Sequence, residues 1–98
     1  MTIEIKRNAE ETTIKLVGRL DTTTAPALDK TIGEDIAGTK NLVLDVKELE
    51  YISSAGLRVL LGAQKKMQKI GSMKVMNVRE EVMEVFEMTG FADILVIE

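Results

Sequence analysis

The sequence predicts a single α/β domain with a mixed, mostly parallel β-sheet of about four to five strands and helices packed largely on one face. A chain of 98 residues has the length of one domain with one core. Apolar and polar residues alternate near the start, which indicates paired strands. Segments with helical spacing then alternate with short apolar runs, which favours right-handed crossovers between strands. The predicted order is ββαβαβαβ.

The first two predicted strands form a hairpin. Ile3 and Ile5 alternate with polar neighbours, and after the polar residues 8–11 the alternation resumes from Ile14 to Leu20. Such alternation is typical of strands with one buried face.

The first predicted helix follows this hairpin. Thr24 is suited to cap it, and Pro26 is suited to its first turn. Gly38 can adopt the left-handed conformation that ends a helix. The predicted buried positions are Ala25, Leu28, Ile32 and Ile36.

The remaining elements alternate in type. Residues 41–46 form a nearly unbroken apolar run, which is typical of a strand covered on both faces, so we place it at the centre of the sheet. The longest helix is predicted over residues 54–70, ended by Gly71, and a strand over 73–78 follows. The pattern then predicts a helix over 80–88, capped by Gly90, and a final strand over 94–97.

Composition excludes several functions. The chain has no histidine and no cysteine, so it lacks the commonest general base, the commonest metal ligands and any disulfide. We therefore expect no enzyme, no metal and no cofactor. The formal net charge of −3 disfavours nucleic-acid binding. There is no apolar run of spanning length and no signal-peptide pattern, so we expect a cytoplasmic protein without membrane association.

The longest predicted helix has three faces. Its core stripe is predicted to contain Val59, Leu60, Ala63, Met67 and Ile70. Arg58, Gly62, Lys65 and Lys69 lie together on a basic, solvated side. Leu57 and Leu61 fall between the two, where they either widen the buried stripe or form a docking surface for a partner.

Two adjacent hydroxyls stand where this helix begins. One interpretation is structural, with Ser53 ending the strand and Ser54 capping the helix. The other is regulatory, because the backbone N–H groups of a first helical turn favour a phosphate on a serine there.

Residues 44–57, Leu-Asp-Val-Lys-Glu-Leu-Glu-Tyr-Ile-Ser-Ser-Ala-Gly-Leu, favour the regulatory interpretation. This segment resembles the signature of the anti-sigma factor antagonist family, the STAS domain. Gly18-Arg19-Leu20-Asp21 is similar to that family's second-strand ending, and Met88-Thr89-Gly90-Phe91 to its closing turn. The resemblance covers almost the whole chain, so residues 1–98 are predicted to form one STAS domain.

The resemblance implies a bacterial regulator. Family members bind an anti-sigma factor serine/threonine kinase and thereby release a sigma factor, and phosphorylation switches this binding off. The modified serine is two positions before the motif glycine, which is Ser54 here, with Ser53 as the second choice. A serine phosphatase would restore the unmodified form, and we expect a monomer. In many members an aspartate stands where this chain has Ser53.

The partner-binding surface implied by the resemblance surrounds this serine. It comprises Asp21, Thr22, Ser53, Ala55, Gly56, Leu57, Arg58, Leu61 and Lys65. For Asp21 a structural role, as an acceptor for backbone N–H groups in its turn, stands beside a role in receiving the kinase. The alternative function is a STAS adaptor or scaffold in a signalling or transporter-associated complex whose serine is not modified.

Overall fold

The computed structural model describes residues 1–98, except for the side chain of residue 35. Its four-stranded sheet has the order β1-β2-β3-β4. The strands are β1 (Thr2–Asn8), β2 (Glu11–Leu20), β3 (Asn41–Ile52) and β4 (Ser72–Met76). The helices are α1 (Ala25–Asp35), α2 (Ser54–Ile70) and α3 (Glu80–Thr89), and a short 3-10 helix spans Phe91–Asp93. No described helix is long and apolar enough to cross a membrane.

The sheet is mixed, as predicted. β1 and β2 are antiparallel, while β2, β3 and β4 are parallel neighbours. β3 therefore lies inside the sheet, which confirms its predicted central place, and it extends to Ile52, six residues beyond the predicted run. Parallel strands need long connections, and α1 and α2 supply them.

The core lies on one face of the sheet. Along β2, alternate residues Ile14, Leu16 and Leu20 are fully buried, and on β3 Leu42 and Leu44 continue this layer. The helices cover it with the apolar side chains Leu28, Ile32, Leu60, Met67, Val82 and Phe86. The other face of the sheet is mostly polar and carries an ion pair of 2.8 Å between Lys15 and Glu48, although Val43 is buried there. This arrangement confirms the predicted one-sided packing.

The final strand is shorter than predicted. Ile94 and Leu95 donate hydrogen bonds back to the Phe91 carbonyl, at 3.0 and 2.9 Å, because the chain first forms the 3-10 helix. The chain reaches the edge of β4 only afterwards, where Ile97 forms an isolated parallel bridge with Val75. The prediction of a regular strand over 94–97 was therefore wrong in extent, although the chain does return to the predicted edge.

The buried face of α2 differs from the predicted stripe. Leu60, Ala63 and Met67 are buried as predicted, and Val59 packs at the edge of the core. Leu57 is only 6% exposed and joins the core, whereas Ile70 is 49% exposed because it is the last residue of the helix. For Leu57 the structure thus favours the wider buried stripe over a docking surface.

The predicted helix ends are confirmed in part. Gly71 ends α2, and its N–H donates to the Met67 carbonyl. Gly90 ends α3 in the left-handed conformation, with φ of 82°. Gly38 is left-handed as well, with φ of 81°, but α1 has already ended at Asp35. Gly38 therefore belongs to the turn after the helix and not to its cap.

The start of α2 packs unusually close to the sheet. A β-carbon at Gly56 would lie 2.7 Å from Leu20 Cγ and 2.9 Å from Ile52 Cγ1. Both of these side chains are buried and packed, so they have little room to move. Glycine at this position lets the first helical turn approach the ends of β2 and β3.

Gly56→Ala is therefore expected to destabilise the domain by about 1–3 kcal/mol through overpacking. Gly62→Ala is the matched control, because Gly62 lies in the same helix with nothing within 4 Å of its added β-carbon. That substitution should stabilise the domain by about 0.5–1 kcal/mol. Urea unfolding measures both, and equal effects would contradict the close packing at Gly56.

Candidate functional site

Two loops meet at the carboxyl edge of the parallel sheet. In the register of β2 and β3, Leu20 is the partner of Ile52. The next residues, Asp21 and Ser53, therefore leave the sheet side by side. The Ser53 N–H donates a hydrogen bond to the Leu20 carbonyl at 2.9 Å, which joins the loop after β2 to the start of α2.

Ser53 is the N-cap of α2. Its backbone is extended, with φ of −98° and ψ of 176°, and its Oγ accepts a long hydrogen bond of 3.4 Å from the Gly56 N–H. Its carbonyl accepts the first intrahelical bond, from the Leu57 N–H at 2.9 Å. The structural interpretation that made Ser54 the cap was wrong, because β3 continues as far as Ile52 and the extended residue is Ser53.

Ser54 is the first helical residue and is exposed. The first four N–H groups of a helix, here those of residues 53–56, have no partner inside the helix. The Ser53 N–H donates to the Leu20 carbonyl and the Gly56 N–H donates to the Ser53 hydroxyl, so the N–H groups of Ser54 and Ala55 are left without a partner among the described residues. The first turn of α2 contains no acidic residue. The hydroxyl of Ser54 is thus accessible beside a weakly positive part of the backbone.

Asp21 organises the loop after β2. Its Oδ1 accepts hydrogen bonds from the N–H groups of Thr23 and Thr24, at 3.0 and 3.1 Å. Thr24 occupies the N-cap position of α1, but its hydroxyl does not cap the helix. That residue has a helical backbone, with ψ of −21°, and its hydroxyl donates to the Arg19 carbonyl at 2.8 Å. The prediction that Thr24 caps α1 with its side chain was therefore wrong. The hydrogen bonds of Asp21 hold this turn instead.

These bonds affect the ionisation of Asp21. The hydrogen bond from the Thr24 N–H, with smaller contributions from Thr23, the Thr24 hydroxyl and the charge of Arg19, holds the pKa of the Asp21 carboxyl below its ordinary value. Asp21 therefore carries its negative charge at the edge of the site at neutral pH.

The other predicted site residues divide by exposure. Thr22, Arg58 and Lys65 are exposed, and Ala55 and Leu61 are partly buried. Gly56 and Leu57 are buried, so their side of the helix packs inward and is not available to a partner. This corrects their expected place on the binding surface. They support the site by fixing α2 against the sheet.

An exposed pair that no sequence pattern indicated lies at the same edge. The Arg19 guanidinium lies 4.2 Å from the centre of the Tyr51 ring. These residues are register partners on β2 and β3, one position before Leu20 and Ile52. Only the strand register brings them together, because they are 32 positions apart in the chain. The pair adds an aromatic side chain and a fixed cation to the exposed edge of the site.

The site is a surface and not a pocket. A cavity of about 400 Å³ lies elsewhere, lined by residues that include Asn41, Ser72 and Glu98, and no predicted site residue borders it. Among the described side chains, no group of three His, Cys, Asp or Glu residues is arranged to hold a metal ion. Ser54 and its neighbours Thr22 and Arg58 are thus exposed at the surface.

The chain matches a known family of domains. The family model described as the STAS domain matches residues 2–98. The chain belongs to the STAS domain family. The resemblance stated from the sequence is thereby confirmed.

Similar proteins support this assignment. This STAS domain is 29% identical over 94 residues to an anti-sigma-B factor antagonist of Bacillus subtilis, covering 95% of this chain and 86% of that protein. An anti-sigma factor antagonist from Mycobacterium paratuberculosis has a similar crystal structure, with a TM-score of 0.88 and 25% identity, covering 98% and 83% of the two chains. The Bacillus cell fate determinant SpoIIAA in its phosphorylated form shares the fold, with a TM-score of 0.78 and 18% identity, covering 99% and 91%.

The two serines should differ in their effect on stability. Ser53→Ala removes the cap of α2 and is expected to lower the free energy of unfolding by about 0.5–1 kcal/mol, the low end for N-caps because the bond is long. Ser54→Ala in this STAS domain removes an exposed hydroxyl and should change it by less than about 0.5 kcal/mol. Urea unfolding of both variants tests the assignment, and a larger loss for Ser54→Ala would reverse it.

Asp21 should make the STAS domain sensitive to acid. The pKa of the Asp21 carboxyl is lower in the folded state than in the unfolded state. Its contribution to the free energy of unfolding is therefore present above the unfolded-state pKa of about 4, and it is lost as the pH falls through the folded-state pKa. Asp21→Asn cannot titrate, so the variant should lose less stability than the wild type between about pH 4 and 2. Thermal unfolding across this range measures the difference, and parallel curves would rule out the contribution of Asp21.

Proposed function

We propose that this STAS domain is an anti-sigma factor antagonist whose binding to an anti-sigma factor serine/threonine kinase is switched off by phosphorylation of Ser54. Binding of the unmodified domain occupies the kinase and releases a sigma factor. A serine phosphatase returns the modified domain to the active form. In this proposal the domain acts in the cytoplasm as a monomer and performs no catalysis itself.

The observation that carries the proposal is that the two serines have different structural roles. Ser53 is half-buried and occupied in capping α2, while Ser54 is exposed at the first helical position. A kinase can reach the Ser54 hydroxyl without opening the helix, and modification there leaves the cap intact. The same reasoning favours Ser54 over Ser53 as the modified residue.

A phosphate on Ser54 would affect a partner more than the domain. Phosphorylation adds a charge of about −1.5 to −2 at neutral pH. The N–H groups of Ser54 and Ala55 and the positive end of the helix dipole can accommodate it. A partner seated on this edge would instead have to bury the added negative charge. Because about 1.4 kcal/mol corresponds to a tenfold change in affinity, a modest penalty is enough for a switch.

The names of similar proteins support an anti-sigma factor as the partner in this proposal. The similar proteins from Bacillus subtilis and Mycobacterium paratuberculosis are anti-sigma factor antagonists, and this chain covers most of the length of each. SpoIIAA, which shares the fold, exists in a phosphorylated form. These facts support a regulatory role for the exposed serine over a catalytic one.

The switch can be tested with anti-sigma factor kinases from the source organism and ATP. Phosphate should be incorporated into the wild type and Ser53→Ala but not into Ser54→Ala, and peptide mass spectrometry locates it. Unmodified wild type and Ser54→Ala should bind the kinase with similar affinity, whereas Ser54→Asp should bind at least about tenfold more weakly.

Calorimetry measures these affinities, and Lys40→Glu serves as a charge control because Lys40 lies at the opposite end of the strands, beside Glu10. Equal binding by Ser54→Ala and Ser54→Asp would contradict the electrostatic switch. Kinase binding without any phosphate incorporation would favour the adaptor function instead.

A further inference from the structure

The helical position of Arg58 places a cation beside Ser54. Both residues are in α2, four positions apart, and both are exposed. Residues at this spacing lie one above the other on a helix, with β-carbons about 5–6 Å apart. Helical side chains also lean toward the N-terminus, so a long side chain at position 58 covers the surface around position 54.

Arg58 is available for this contact. The ion pairs among the described side chains involve other residues, and none includes Arg58. The first turn of α2 contains no carboxylate that would compete for the guanidinium. Asp21 lies in the loop that is bonded to Ser53, and its Oδ1 accepts hydrogen bonds from the backbone of its own turn.

We propose that Arg58 binds the phosphate of phosphorylated Ser54 within the same helix, and that this contact removes the guanidinium from the partner surface. The inference rests on the proposed modification of Ser54. An anion placed four residues before a cation is the favourable order for a helical pair, and a guanidinium can bind two phosphate oxygens at once. Phosphorylation would then change the surface twice, because it adds a negative group and withdraws an exposed arginine.

The test does not need the kinase. Phosphoserine is installed at position 54 during biosynthesis, and its second ionisation is followed by phosphorus NMR. A phosphoserine has a second pKa of about 6 in the absence of a partner. Arg58→Gln should raise the phosphate pKa by about 0.3 units or more relative to the wild type, and Arg58→Lys by less, because the point charge remains.

The matched control is Lys65→Gln. It removes the same charge from the same exposed side of α2, but position 65 lies about 16 Å along the helix axis from position 54. Its phosphate pKa should stay within about 0.1 units of the wild type, because that distance exceeds the screening length at moderate salt. Urea unfolding of the same proteins verifies that each variant is folded.

Equal phosphate pKa values in the wild type and Arg58→Gln would overturn the inference, as would an equal shift in Lys65→Gln. The outcome is independent of the proposed function. If Arg58 binds the installed phosphate but no kinase modifies Ser54, the contact between Arg58 and the phosphate is supported and the proposed phosphorylation switch is contradicted. If the kinase modifies Ser54 and Arg58→Gln leaves the phosphate pKa unchanged, the switch stands and the pair fails.

Discussion

The candidate site depends on the close approach of α2 to the ends of two parallel strands. The hydrogen bond from the Ser53 N–H to the Leu20 carbonyl joins the two loops, and the missing side chain of Gly56 lets the first helical turn rest on Leu20 and Ile52. Because these contacts are short and buried, the position of Ser54 relative to the loop after β2 is fixed by the core.

The residues that stabilise the site differ from those proposed to carry the switch. Ser53 caps the helix, Asp21 holds its own turn, and Gly56 and Leu57 pack inward. The side chains of Ser54 and Arg58 make none of these contacts, and both are exposed on the same helix. A charge can therefore be added and removed at the first helical position at little cost to the fold, which is what a reversible modification requires.

The one-sided packing of the sheet explains where such a site can lie. All three helices cover the face that carries the core, and the candidate site lies at the edge where strands end and helices begin. In parallel sheets these carboxyl ends lie together, and residues distant in sequence meet there. The pair formed by Arg19 and Tyr51 is an example, since only the register of β2 and β3 brings a cation onto that ring.

The sequence by itself determined the order of the elements, the central strand and the long helix, because apolar periodicity and glycine positions are local properties that reflect secondary structure. It also located the serine pair through the motif in residues 44–57. Tertiary structure decided which serine caps α2, which leucines of that helix are buried, and how little of the C-terminal segment joins the sheet. Those outcomes depend on where β3 ends, how α2 is rotated against the core and how many residues the 3-10 helix contains. Each of these is set by packing between elements that are distant in the sequence, so a local pattern cannot predict it.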